Sequence, residues 1–244
     1  MRFSEIATIL KDIPYTSIER GKQLYDHILL NKPQKCLELG FAHGVASCYM
    51  AAALDELGAG TLTCVDLESS LDRNPNLEAL LERSGLEKYV SIYREKSCYT
   101  WFLKKEIERN SNEYKCNPIY DLCFIDGPKN WTIDGFAFFL VDKLLKEKGY
   151  IIFDDYRWVY GEYSKDILDG IKIREMPKDQ IVTPNIELVF KLLVMQHPNY
   201  SNFIIDDDWA YAQKVRSETK NLRIITTTSF KYRFLKKIKS ILKP

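Results

Sequence analysis

The sequence has no CxxC pair, no glycines pitched as GxGxxG, only three histidines and no apolar stretch long enough to cross a bilayer. Each absence removes a class of protein. Runs such as Phe136 to Val141 fall far short of the ~20 apolar residues a membrane-spanning helix requires. The start, Met1-Arg2-Phe3-Ser4-Glu5-Ile6, carries an acid where a signal peptide's apolar region would stand, so export by that route is not expected. No His/Cys grouping has zinc spacing. Cys36, Cys64 and Cys123 fall inside apolar strand-like runs, where a reduced thiol behaves as a small buried hydrophobe. The expected location is therefore cytoplasmic.

What is present describes a globular chain. Its 244 residues are 45% hydrophobic and 28% charged, which excludes wholesale disorder and gives room for a sizeable core. The net charge of +1 hides an asymmetry: from Lys220 to Pro244 there are eight basic residues and no acid. Removing those eight leaves 27 basic and 34 acidic residues, a net charge of −7, for residues 1–219. A mildly acidic body argues against nucleic acid as a partner.

Short β-rich runs alternate with helical stretches, the pattern of a parallel sheet covered on both faces. Strands are expected at 35–39, 61–65, 90–93, 120–125 and 150–153, and helices at 17–30, 44–57, 75–84, 100–110 and 134–147. Proline opens the third of these helices at Pro75, and Gly58-Ala59-Gly60 and Gly85 close their helices. Residues 156–183 read as an irregular insertion, 184–196 as a helix, and 202–205 with 209–214 as an antiparallel hairpin. The expected fold is α/β: a doubly wound, Rossmann-like sheet of seven strands, mostly parallel with a C-terminal antiparallel hairpin, in the order 3-2-1-4-5-7-6. One domain over residues 1–219 is expected, with a helical cover at 1–31 and a basic amphipathic tail at 220–244.

Ligands of such sheets bind at the carboxyl ends of the strands. The first strand runs into Glu38-Leu39-Gly40-Phe41-Ala42-His43-Gly44, whose glycines let the backbone turn tightly at a helix N-terminus. Asp66 ends the second strand, where an acid can accept both ribose hydroxyls of a nucleoside. Phe41, Ala42 and His43 crowd the place a pyrophosphate would occupy, so the loop suits a ligand without phosphate. Asp126 ends the fourth strand and Asp154-Asp155 the fifth, so adjacent strands aim three carboxylates at one spot. Converging anions hold protons unless a cation neutralises them, and oxygen ligands suit Mg²⁺, with Mn²⁺ or Ca²⁺ compatible. Solvated strand-end acids are the plainer alternative. Lys129 follows Asp126 by three residues; beside a dication its pKa should fall, as a general base requires, whereas a plain surface lysine would only pair with Asp126.

These motifs resemble the class I S-adenosylmethionine-dependent methyltransferases, and within them the metal-dependent branch of catechol, caffeoyl-coenzyme A and macrocin-type O-methyltransferases. The likeness is carried by Gly21-Lys22-Gln23, residues 38–44, Asp66, Ser97, Phe124-Ile125-Asp126-Gly127-Pro128-Lys129 and Ile151-Ile152-Phe153-Asp154-Asp155-Tyr156. It implies S-adenosylmethionine bound by Glu38, Gly40, Phe41, Ala42, His43, Gly44, Asp66, Leu67, Ser97 and Asp126. It further implies a metal on Asp126, Asp154 and Asp155, with Lys129 and Asp126 as catalytic residues. Asn130, Trp131, Tyr156 and Trp158 are expected to line the pocket of a small-molecule hydroxyl acceptor. The Asp154-Asp155 pair leans towards the sugar-type enzymes, with a catechol-like phenol as the alternative acceptor. Other readings stay open: a metal-independent methyltransferase, a nicotinamide-linked oxidoreductase and a non-catalytic scaffold.

The tail interleaves Phe234, Leu235, Ile238, Ile241 and Leu242 with lysines. Such a helix can lie on an anionic membrane through residues 230–244, or dock on the domain or on a partner subunit of a homodimer.

Overall fold

The computed structural model describes residues 1–113, 115–163, 167–168 and 171–216. Seven strands form one sheet: β1 (Lys35–Leu39), β2 (Thr61–Leu67), β3 (Val90–Glu95), β4 (Tyr120–Ile125), β5 (Leu145–Phe153), β6 (Tyr200–Asp206) and β7 (Trp209–Lys214). Their spatial order is β3-β2-β1-β4-β5-β7-β6. The first five run parallel, β7 lies antiparallel to β5, and β6 closes the sheet as a hairpin partner. The expected order and hairpin are both found, and the winding reverses between β1 and β4.

Alternation along the strands divides the core. Cys36, Leu122, Phe124, Ile152, Trp209 and Tyr211 pack on the face covered by α1 (Phe3–Ile9), α2 (Ile18–Asn31), α3 (Val45–Leu57) and α4 (Leu77–Ser84). Leu37, Leu39, Cys123, Ile125, Ile151, Phe153 and Ala210 point the other way, towards α5 (Tyr99–Arg109), α6 (Trp131–Leu144) and α8 (Asn185–Leu188). A period of two with both sets apolar is what a sheet sandwiched between helix layers demands. A short α7 (Lys178–Val182) precedes α8, which runs on as a π-helical segment over Val189–Val194 instead of one regular helix to residue 196.

Helix ends moved where capping residues outcompete the periodic pattern. Pro75 does not open α4; Asn76 caps it, its side chain accepting from the Ala79 amide at 3.0 Å. Helix α6 begins at Trp131, not Asp134, because Asn130 accepts from the amides of Thr132 and Ile133. It ends at Leu144, and residues 145–147 belong to β5, where Leu145 pairs with Tyr120. Strands β2, β3 and β6 are longer than expected. The amphipathic tail lies outside the described residues, and among the described residues no helix is long and apolar enough to cross a membrane.

Candidate active site

The register of three parallel strands levels the site. Leu39, Ile125 and Phe153 are in-register partners across β1, β4 and β5. The ladder continues one residue further: the amides of Gly40, Asp126 and Asp154 donate to the carbonyls of Val65, Leu39 and Ile125. Gly40, Asp126 and Asp154 therefore stand side by side at the carboxyl edge, across the topological switch. Gly40 is required there, since at φ +85° a Cβ would sit 2.1 Å from the Asp126 carbonyl oxygen. Each of the three loops also holds a non-glycine residue in the left-handed region: Ala42 (φ 48°), Lys129 (φ 57°) and Asp155 (φ 53°). Such strain collects at functional sites because the surrounding structure must impose it.

The loop after β1 is drawn tight. Asp66 Oδ2 accepts from the amides of Phe41 (2.9 Å) and Ala42 (2.7 Å), and Oδ1 accepts from Leu67 (2.6 Å). Of roughly four acceptor positions on a carboxylate, three are used, so Asp66 keeps capacity for one further donor. His43 Nδ1 lies 2.6 Å from the Pro75 carbonyl, which can only accept, so that nitrogen carries the proton. Its ring stacks on Tyr15. Glu38 is fully buried; its Oε2 accepts from Ser47 and Cys64, while Oε1 has no partner. Burial pushes the Glu38 carboxyl up to about 7. An unpartnered buried acid beside a glycine loop fits a ligand that brings a cationic group, as S-adenosylmethionine does. Ser97 lies farther out, past β3, in a cleft shared with Glu68, Arg94 and Trp101.

The three carboxylates do converge. One oxygen each of Asp126, Asp154 and Asp155 lie within 4.8 Å of one another, as a metal-binding group would. Lys129 joins them, ion-paired with Asp126 and, at 3.0 Å, with Asp155. Burial drives the Asp126 carboxyl well above its ordinary range against the pull of Lys129, and burial together with Asp155 raises Asp154 to about 6. Three acids against one ammonium leave a deficit of positive charge that a divalent cation fits. Burial pulls the Lys129 pKa down, but the surrounding carboxylates outweigh burial and hold it well above the usual lysine range; the expected fall belongs to a Lys129 that shares those carboxylates with a dication. Nor is it the plain surface lysine of the alternative reading, its side chain being only 14% exposed.

Among the expected acceptor contacts, Asn130 caps α6 and reaches the Tyr160 hydroxyl at 3.3 Å, Trp131 is 39% exposed, and Trp158 packs edge-on against Tyr160. Tyr156 is a correction. The left-handed turn at Asp155 sends its ring into the core, 3% exposed and edge-on to Phe190.

Two supports were not anticipated. Buried Asp134 accepts from the Tyr99 hydroxyl and from the Asn130 amide, clamping the loop that carries Asp126 and Lys129. Trp209 donates its indole N–H to Asp154 Oδ1. A tryptophan at a strand start carries no sequence signal for such a tie, because the tie depends on strand register.

Residues 37–156 match the family described as a methyltransferase domain. Among solved structures, the chain is similar to the O-methyltransferase TomG of Streptomyces achromogenes, involved in tomaymycin synthesis and in complex with SAM. That match has a TM-score of 0.59 and 16% identity, covering 88% of this chain and 89% of that one. It is similar to an O-methyltransferase of Bacillus cereus in complex with SAH (TM-score 0.58, 19% identity, 88% and 90% covered). A third similar structure is a putative caffeoyl-CoA O-methyltransferase of Staphylococcus aureus (TM-score 0.58, 21% identity, 87% and 90% covered). No curated protein matches the chain.

Proposed function

We propose that this methyltransferase, whose residues 37–156 belong to the methyltransferase domain family and whose fold is that of the S-adenosylmethionine-dependent O-methyltransferases, methylates a hydroxyl with help from a divalent cation. One observation carries the finer part of this reading: the convergence of Asp126, Asp154 and Asp155 level with the glycine loop.

Asp126, Asp154 and Asp155 would hold a hard dication, which would supply Lewis acidity to neighbouring hydroxyls of the acceptor. The loop 40–44, Asp66, Glu38 and the Ser97 cleft would hold the donor. Lys129 is the proton acceptor. Its ammonium would release a proton to solvent once a dication shared those carboxylates, and the neutral amine would then take the acceptor's hydroxyl proton. The oxygen attacks the methyl carbon in line as the carbon–sulfur bond breaks, and the sulfonium leaves as a neutral thioether. Because charges cancel in this displacement, alignment at about 3–3.5 Å matters more than stabilising a new charge. Trp131 and Trp158 form the acceptor wall, a surface on which sugars and flat phenols both stack.

The acceptor proposed is a sugar or glycan hydroxyl, supported by the Asp154-Asp155 pair. A catechol-like phenol is the alternative, supported by the likeness to the putative caffeoyl-CoA enzyme. A methyl-transfer panel of sugar-bearing and catechol acceptors, run with Mg²⁺ and with chelator, tests both. Turnover should require the metal, and Lys129→Ala should lower it far more than it lowers donor affinity. Equal turnover in excess chelator overturns the metal's role.

A further inference from the structure

Strand β7 runs antiparallel beside β5 with Ala210 opposite Phe153, so Trp209 falls opposite Asp154. The parity of β7 turns the Trp209 side chain to the α2–α3 face, where it is 1% exposed and packs 5.3 Å from the Phe124 ring. A buried indole N–H needs an acceptor, and Asp154 Oδ1 is the acceptor it finds. The same oxygen accepts from the Asp155 amide at 2.8 Å. With Oδ1 held by two N–H groups, the carboxylate cannot rotate freely, and Oδ2 is the oxygen left for the cluster.

The residue before Trp209 grips the other half of the pair. The Asp208 carbonyl accepts from the Tyr156 amide at 2.8 Å and its carboxylate accepts from the Arg157 amide at 2.6 Å. These two bonds hold the turn that follows Asp155. The hairpin is fastened in its turn to α2: Arg20 stacks 5.2 Å from the Trp209 ring and pairs with Asp207 at 2.9 Å, while Gln23 donates to Asp206 at 3.2 Å.

We infer that the β6–β7 hairpin is the brace of the cation site, with Trp209 and Asp208 as positioning residues for Asp154 and Asp155. The inference rests on the metal reading above, and it adds what sets the ligand geometry. Outer partners of metal ligands typically govern 10–100-fold in metal affinity. The hairpin is also the only antiparallel part of the seven-stranded sheet, and only an antiparallel neighbour brings a strand's first residue to the carboxyl end of β5.

The test is Mn²⁺ binding to the full chain, followed by the electron paramagnetic resonance of free Mn²⁺ and by calorimetry, without acceptor. Trp209→Phe keeps the ring and removes the N–H, and should weaken Mn²⁺ roughly 10-fold or more while S-adenosylmethionine affinity stays within about 2-fold. Asp208→Ala, at a half-buried turn whose loss leaves the core intact, should weaken Mn²⁺ several-fold with the melting temperature little changed. Wild-type Mn²⁺ affinity in both variants overturns the brace and leaves the metal reading standing. No uptake by the wild type, with Asp126→Asn indistinguishable from it, overturns the metal reading and the brace together. Equal losses of Mn²⁺ and donor affinity in both variants would mark general loosening and also overturn it.

Discussion

Replacing Lys129 by methionine keeps the length of the side chain and removes the one ammonium among three carboxylates. The Lys129 and Asp126 side chains are 14% and 20% exposed, so solvent screens the pair only in part. Breaking a buried pair by removing one partner costs about 3–5 kcal/mol, and partial exposure puts this case at the low end, ~3 kcal/mol. For a chain of this size each kcal/mol moves the melting temperature by about 2–4 °C, so a drop of roughly 6–12 °C is expected in chelator at pH 8. The loss should shrink as pH falls through 6, because Asp154, already raised to about 6, takes up a proton in place of the missing partner. A cation at about 100 times its Kd returns ~2.7 kcal/mol, so Mg²⁺ should raise the variant's melting temperature by more than it raises the wild type's. Calorimetric melts at pH 5.5 and 8, with Mg²⁺ and with chelator, read all of this. A variant that melts within about 2 °C of wild type in chelator at pH 8, or that gains no more from Mg²⁺ than wild type does, refutes the charge argument.

Glu38 and Asp134 are raised by burial, to about 7 and about 6, so the folded chain holds more protons than the unfolded one between about pH 4 and 7. Their contribution to stability is therefore full below that window and is lost as pH rises through it; Glu38→Gln should flatten the melting profile between pH 5 and 8. Gly40→Ala forces a Cβ against the Asp126 carbonyl and should cost more than 1 kcal/mol together with most donor affinity. At Gly58, where φ is +67° with nothing within 4 Å, alanine should cost only ~1 kcal/mol and leave donor binding intact, as thermal melts and calorimetry would show. Trp131→Ala and Trp158→Ala should raise the acceptor KM about 10-fold, equivalent to ~1.4 kcal/mol, without changing the Kd of S-adenosylmethionine.

The strands were legible because burial on both faces forces near-continuous apolar runs, as in Tyr120–Ile125, whose limits sequence and structure share. Convergence of Asp126, Asp154 and Asp155 was legible for a related reason: Asp126 and Asp154 immediately follow core strands, Asp155 comes one residue later, and strand ends of a parallel sheet lie level. Helix boundaries were less so, because Asn76 and Asn130 set them through one side-chain bond each, and a periodicity cannot register a cap. Tyr156 was misread because the left-handed Asp155 breaks the alternation that would have aimed it at the cleft. The ion pair of Lys129 with Asp155 was not legible, because spacing alone gave only Asp126 as a neighbour. Trp209 was invisible as a site residue, since its tie to Asp154 joins positions 55 apart through an antiparallel register.

Crystals grown with Mn²⁺ and S-adenosylmethionine, measured at the manganese edge, examine the central claim most directly. The account predicts one anomalous peak within bonding distance of carboxylate oxygens from Asp126, Asp154 and Asp155, with the donor's methyl group facing it and Lys129 drawn back from Asp155. A fully bound donor with no anomalous peak at those carboxylates, and Lys129 still bridging Asp126 and Asp155, would contradict it.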